Sequence, residues 1–399
     1  MKRLPFLLCV AGLLLGCSTY TPAGRTNLAR APYLQMALGD SATVLWRTRA
    51  GEEAAVAYRR VGTKTWETAV GKVRPTNTGV VENEVVLTGL VPGEPYTYRV
   101  LTDGRQLLKT DPVFPAPLAD TATRFRFFAV GDIGEPEETE GTPGWLNDAL
   151  VRDPTTYRFG LLLGDIVYPT GQSAVYDERL FDHFAGYFPT TPVYAVLGNH
   201  DWHEPEANYM EEWKLPGNEH YYAFRQGNVR FLALDSGANG ELYDSTAQLA
   251  WLESELARPS EATTWTVVYL HHNGKSCTYK QDYPAVMGLY GLFERYNVDL
   301  VLNGHAHTYE RLRPMDGNGT PGAEGFTSIT IGSGGKLRGT KGDPTPYTPD
   351  PENCRHPDLV ARAVHDWVYL GLSVEGDTIV GTAYRTRDNA VVDTFSITR

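Results

Sequence analysis

Short apolar runs rich in β-branched and aromatic residues recur along the chain, and what separates them changes once. Between about Ala31 and Leu101, runs such as Ala42-Thr43-Val44-Leu45-Trp46 and Ala54-Ala55-Val56-Ala57-Tyr58 are divided by Gly and charged clusters, with no segment of helical period. This pattern predicts a small antiparallel β-sandwich over 31–110. Asp111-Pro112-Val113-Phe114-Pro115-Ala116-Pro117 is Pro-rich and reads as a stiff linker over 111–121. From Ala122 onward, strand-like runs alternate with amphipathic segments: Phe125 to Val130, Phe159 to Leu163, Val193 to Leu197, Phe231 to Leu234, Val267 to Leu270, Leu300 to Leu302 and Ser328 to Ile331. The clearest helix candidate is Ser245 to Arg258, with Ser245 as N-cap, Gln248 completing a capping box, and Leu249, Leu252 and Leu256 on one face. A second runs from Ala285 to Tyr296. The expectation for 122–399 is an α/β (α+β) domain, mixed sheet layers flanked by helices, preceded by the small all-β sandwich.

The first sixteen residues stand apart. Lys2 and Arg3 precede an apolar stretch from Leu4 to Leu15, interrupted by Pro5 and Gly12, and no span of about 20 apolar residues follows. This is an export signal over 1–16. Its end, Leu14-Leu15-Gly16-Cys17, resembles a bacterial lipobox, which implies that Cys17 is lipidated. Residues 17–30 would then tether the protein to a bacterial membrane, at the outer membrane or cell surface facing the periplasm or exterior. Ordinary cleavage nearby, with Cys17 an incidental thiol, is the alternative. Cys277 and Cys354 remain in an oxidising compartment, either as one disulfide or as two buried free thiols.

Composition narrows the partners. The chain has 399 residues, 42% hydrophobic and 21% charged, enough for two or three folded domains. Its formal charge of −12 argues against nucleic acid as a partner. An anionic substrate would need positive potential concentrated locally, by a metal or a few basic side chains.

Residues suited to that task sit where the strands end. Gly131-Asp132-Ile133-Gly134, Gly164-Asp165-Ile166-Val167-Tyr168, Gly198-Asn199-His200-Asp201, His271-His272 and Gly304-His305-Ala306-His307 each follow a strand run. In open α/β sheets ligands bind outside the carboxyl ends of strands. Taken singly, a Gly-Asp is a turn, an Asn-His a cap and a His pair a packed ring beside an exposed one. Five in order at successive strand ends point to a metal site. Asp132, Asp165, Tyr168, Asn199, His271, His305 and His307 are too many ligands for one tetrahedral zinc, and two ions sharing a carboxylate fit better.

In order and residue type these motifs resemble the purple acid phosphatase family of the metallophosphoesterase superfamily. Gly164-Asp165-Ile166-Val167-Tyr168 discriminates within the superfamily by its Tyr, and Gly304-His305-Ala306-His307-Thr308-Tyr309-Glu310-Arg311 is close to the family's full string. Leu87-Thr88-Gly89-Leu90-Val91-Pro92-Gly93-Glu94-Pro95-Tyr96 in turn resembles a fibronectin type III domain, where Tyr96 would bond upstream backbone. The resemblance implies two ions per chain: Fe3+ on Asp132, Asp165, Tyr168 and His307, and Zn2+, Mn2+ or Fe2+ on Asp165, Asn199, His271 and His305. Asp165 would bridge. It also implies hydrolysis of a small phosphate monoester by attack of metal-bound hydroxide, with His200 contacting the phosphoryl group or protonating the leaving alkoxide. His272 is displaced by one residue from the ligand position and is assigned outside the metal shell. The chain departs from the family downstream, where Asn273 replaces a Pro and no later His follows in the loop, so that His272, Lys275 and Lys280 stand in as substrate contacts. A phosphodiesterase or nucleotidase on the same site, and a surface-anchored binding protein with structural metals, are the competing readings.

Overall fold

The computed structural model describes residues 27–135, 143–154, 156–203, 207–258, 265–341 and 354–399. The expected export signal, Cys17 and most of the expected tether lie outside the described residues. No helix among the described residues is long and apolar enough to cross a membrane.

The N-terminal module is built from two antiparallel sheets. Leu28–Leu38, Ser41–Thr48, Val81–Leu87 and Lys72–Pro75 form one; Glu67–Val70, Ala54–Arg60, Pro95–Thr102 and Arg105–Gln106 form the other. Alternation along Ala54–Arg60 turns Ala54, Val56 and Tyr58 inward, against Leu34, Val44, Trp46 and Tyr98. The Val91 N–H donates to the Tyr96 hydroxyl at 3.0 Å, which ties the turn to the following strand. The stretch read as a linker is partly sheet. Val113–Pro115 pairs with Pro95–Thr102, Phe114 is fully buried, and Arg99 reaches Asp111 at 2.8 Å. Proline is compatible with an edge strand, where half the backbone groups need no partner.

The larger body consists of two sheets packed face to face, with short helices around them. The six-stranded sheet runs in the order Val193–Ala195, Gly160–Leu162, Arg124–Val130, Val368–Glu375, Thr378–Arg385, Val391–Thr398; its first three strands are parallel and the rest antiparallel. The seven-stranded sheet runs Tyr222–Gln226, Val229–Ala233, Trp265–Tyr269, Leu300–Asn303, Thr327–Ile331, Tyr309–Leu312, Val360–Val364, with its four middle strands parallel. Between the sheets the core is aromatic: Phe127 stacks on Phe159 at 5.2 Å, and Phe159 meets Phe231 edge-on at 5.3 Å. This is the mixed α/β body expected from the sequence, with an added C-terminal set of antiparallel strands that the apolar runs did not single out.

Two helices differ from expectation. The helix Ser245–Leu256 begins one residue after Asp244, whose φ is 40°, and has no side-chain cap. Gln248 instead turns into the core: the Asp235 N–H donates to its Oε1 at 2.9 Å and its Nε2 donates to the Asp235 carbonyl at 3.0 Å. A buried loop backbone required those partners more than the helix end did. Leu252 and Leu256 are buried, but Leu249 is 37% exposed. The segment from Ala285 to Tyr296 splits into Pro284–Met287 and Tyr290–Arg295.

Charge, rather than apolar surface alone, joins the two parts. Arg30 and Arg47 of the module and Glu212 of the body are fully buried: Arg30 Nη1 lies 2.6 Å and Arg47 Nη2 3.0 Å from Glu212 Oε2. Arg47 also pairs with Glu82 at 2.8 Å, and Arg30 with Asp177. Removing one partner of a buried network leaves uncompensated charge. Glu212→Ala should therefore lower the free energy of denaturant unfolding by about 3–5 kcal/mol, whereas Lys214→Ala, in an exposed pair with Glu219, should cost under about 1 kcal/mol. Equal, small losses in both would show that this network does not hold the two parts together.

Candidate metal centre

The strands of the two sheets end side by side, and each hands its chain to a sharp reversal. Asp132, Asp165 and His305 adopt φ of 58°, 49° and 68°, a region costly for residues other than Gly. The reversals brace one another. The Asp132 N–H donates to the Gly164 carbonyl at 3.0 Å, Gly134 N–H to Ile166 at 2.9 Å, and His305 N–H to Asp132 Oδ2 at 2.9 Å. Room for this comes from glycine: a Cβ on Gly198 would lie 2.2 Å from the Asp165 backbone nitrogen, and one on Gly304 2.7 Å from Asp132 Oδ2. Asp201 fixes two of the loops together, accepting from the Gly198 N–H at 2.8 Å and the Ile166 N–H at 3.2 Å while itself buried. The sequence places Asp201 inside a strand-end motif but gives no sign of this role, which depends on a neighbouring strand.

All seven predicted ligands converge in two adjoining groups. Tyr168 Oη lies 2.8 Å from Asp132 Oδ1, 3.0 Å from Asp165 Oδ2 and 3.2 Å from His307 Nε2. His271 Nε2 lies 3.2 Å from Asn199 Oδ1, 3.2 Å from His305 Nδ1 and 3.4 Å from Asp165 Oδ2. The same Asp165 oxygen belongs to both groups. The donor set fits cations. His271 Nδ1 faces the Leu163 carbonyl at 2.8 Å and must carry the hydrogen there, so in the neutral ring Nε2 points a lone pair at two further acceptors, Asn199 Oδ1 and Asp165 Oδ2. With protons alone the strain shows in the ionisation. Burial opposes charge on His271, yet Asp165 carries it up to about 9. Burial, Asp132 and Asp165 push the Tyr168 phenol far above its usual range. Cations bound to these lone pairs would displace those protons. His305 is held well below its usual range by burial and by His272 and His271, so it stays neutral, the form that ligates.

Around this core the structure sorts the other predicted residues. His200 is partly exposed, with its N–H on Asp165 Oδ1 at 2.8 Å, its Nδ1 on the Pro169 carbonyl and its ring 4.5 Å from that of Tyr168. His272 belongs to neither ligand group; its Nδ1 meets Ser236 Oγ at 2.8 Å. Lys275 is engaged elsewhere, donating to the Gly319 carbonyl at 2.7 Å, because its loop packs on the turn around Asp316. Lys280 sits 5.6 Å from the Tyr279 ring. Cys277 and Cys354 form a disulfide with Cα atoms 4.8 Å apart. It fastens the loop that supplies Tyr279, whose hydroxyl accepts the His307 N–H at 3.0 Å, and Tyr283, whose hydroxyl meets His305 Nε2 at 2.6 Å. Glu135 and Lys336, 3.5 Å apart beside Tyr168, complete the surroundings. Sequence reasoning missed both, although Lys336 follows Gly334-Gly335 at the end of a strand run.

Residues 125–309 match the calcineurin-like phosphoesterase family, and residues 32–115 match the purple acid phosphatase N-terminal domain. The chain is 27% identical to purple acid phosphatase 23 of Arabidopsis thaliana over 320 residues, covering 69% of this chain and 67% of that one. It is 27% identical to purple acid phosphatase 18 of Arabidopsis thaliana over 292 residues, covering 67% of this chain but only 59% of that one. Its fold is similar to that of a purple acid phosphatase from yellow lupin (Lupinus luteus) seeds, with a TM-score of 0.79 at 19% identity over 93% of this chain and 75% of that chain.

The shared oxygen of Asp165 makes a stoichiometric prediction. Asp165→Ala should lose both ions from the purified protein, while His307→Ala, whose imidazole belongs to the Tyr168 group, should lose one. Metal analysis beside circular dichroism reads this directly; Asp165→Ala with two ions still bound would remove Asp165 as the bridge.

Proposed function

This chain joins a calcineurin-like phosphoesterase domain to a purple acid phosphatase N-terminal domain, and from that premise we propose that it hydrolyses small phosphate monoesters at a two-metal centre. The observation that carries this reading is one Asp165 oxygen within 3.0 Å of Tyr168 and 3.4 Å of His271, between two ligand groups of different chemistry. Asp132, Asp165, Tyr168 and His307 offer the hard, anionic oxygens that suit ferric iron, and Asp165, Asn199, His271 and His305 the imidazoles that suit zinc, manganese or ferrous iron. When bound, such ions hold a phosphate by charge and lower the pKa of water.

The chain's own residues supply the rest. Tying Nδ1 of His200 to the Pro169 carbonyl fixes that nitrogen as the donor and leaves Nε2, 4.0 Å from Asp165 Oδ2, to exchange a proton with a leaving group. With a net charge of −12, the positive potential that holds a phosphate would have to be supplied locally, by ions held on these ligands. Export and anchoring through a lipidated Cys17 belong to the same proposal.

Turnover of p-nitrophenyl phosphate against bis(p-nitrophenyl) phosphate, from acid to alkaline pH with metal content measured, tests the activity. Preference for the monoester is expected; preference for the diester would reassign the substrate class, and metal-loaded protein inert to both would refute the enzyme reading. His200→Ala should keep both metals while kcat falls by about 10²–10⁴-fold on an alkyl phosphate, and by less on p-nitrophenyl phosphate, whose leaving group needs little protonation. Equal losses on both esters would exclude the proton-transfer role.

Anchoring has its own test. Cys17→Ser should move the protein from the membrane to the soluble fraction in a bacterial host; an unchanged membrane fraction would overturn lipidation.

A further inference from the structure

The loop after Thr327–Ile331 is the last strand-end segment to reach the centre, and it brings a cation. The Gly335 and Lys336 N–H groups both donate to the Asp132 carbonyl, at 2.9 and 3.1 Å. Gly335 allows this approach, since a Cβ there would lie 1.8 Å from the Ile133 carbonyl oxygen. Pinned in this way, Lys336 extends its ammonium to 3.7 Å from the centre of the Tyr168 ring, with Glu135 Oε2 at 3.5 Å to hold it, and both side chains are nearly buried. Among the described residues, the other charged and titratable neighbours of Tyr168 are Asp132, Asp165 and His307 at its oxygen, His200 over its ring and Arg179 at its carbonyl. A cation on a ring face is attracted by the π electrons, more so when little water intervenes. Ionising the phenol adds a full negative charge beneath it.

Resting on the reading that Tyr168 ligates iron, we propose that Lys336 is a positioning residue of the metal centre. Its ammonium, steered by Glu135, is the counter-charge that stabilises the Tyr168 phenolate between two carboxylates and sets the energy of its donor electrons. Carboxylate oxygens of Asp132 and Asp165, 2.8 and 3.0 Å from the Tyr168 oxygen, repel a phenolate at this position. A nearby fixed cation offsets them without occupying a ligand position.

The test is optical. A phenolate on ferric iron absorbs visible light by passing electron density to the metal, and a positive charge beside the phenolate raises the energy required. In iron-loaded protein the band should vanish in Tyr168→Phe. It should move to longer wavelength in Lys336→Met and stay near its original position in Lys336→Arg. Glu135→Gln, which removes the opposing carboxylate, should move it to shorter wavelength. General loosening of the site would not give opposite signs in the two neutralising variants. A folded, iron-loaded Lys336→Met whose band does not move overturns the proposal, and a rise in KM with a stationary band would make Lys336 a substrate contact instead. If the unaltered iron-loaded protein shows no band that depends on Tyr168, the ligation itself is refuted, an outcome distinct from a band that is present but unmoved.

Discussion

Everything at the centre follows from crowding electron-pair donors into a buried pocket. Asp132, Asp165, Tyr168, His271, His305 and His307 are all buried, and Asp165 Oδ2 is shared between the two groups they form. Such a cluster repels itself unless protons or cations intervene. The surrounding backbone is shaped to withstand this: three of the ligand positions take left-handed φ, and backbone N–H groups from His200 and His305 point at the carboxylates of Asp165 and Asp132. Strained backbone of this kind persists only where the rest of the structure over-determines it.

The over-determination comes from the two-sheet body. Parallel strands ending together in each sheet give a row of loops, and packing the sheets face to face through Phe127, Phe159 and Phe231 brings the two rows within reach of each other. Asp132, Asp165 and Asn199 come from one sheet, His271, His305 and His307 from the other. Neither sheet alone assembles a complete ligand group. The disulfide between Cys277 and Cys354 closes a further loop over the histidine side, so that the Tyr279 and Tyr283 hydroxyls orient His307 and His305.

The β-module is coupled to this body by more than proximity. Arg30 meets Asp177, at the start of the helical turn Asp177–Phe181, and Arg179 in that same turn donates to the Tyr168 carbonyl. A chain of charge and hydrogen bonding therefore runs from the module to the backbone of a predicted ligand. Such contacts orient; the polarity of the pocket itself is set locally, by Glu135, Lys336 and the carboxylates.

Much of this was legible in the sequence because it is written locally. A strand run followed by a ligating side chain, in four of the five cases after a Gly, records both the buried strand and the tight turn after it, and these five motifs marked the seven residues that the structure gathers. Local pattern could not say which sheet each strand joins, so the pairing of Val368–Glu375 beside Arg124–Val130 had no signature. Nor could it say what a side chain meets across space. Gln248 looked like a cap and bonds a distant loop; Val113–Pro115 looked like a linker and pairs as a strand; Lys275 looked available and is held by the Gly319 carbonyl. Asp201, Glu135 and Lys336 were not singled out, because a charged residue in a loop has the same local appearance whether it faces water or a ligand. Periodicity and turn chemistry determined most of the elements and the candidate ligands, since each depends on residues a few positions apart. The partners of the remaining polar groups depend on residues far apart in sequence, and only the packed tertiary structure decided them.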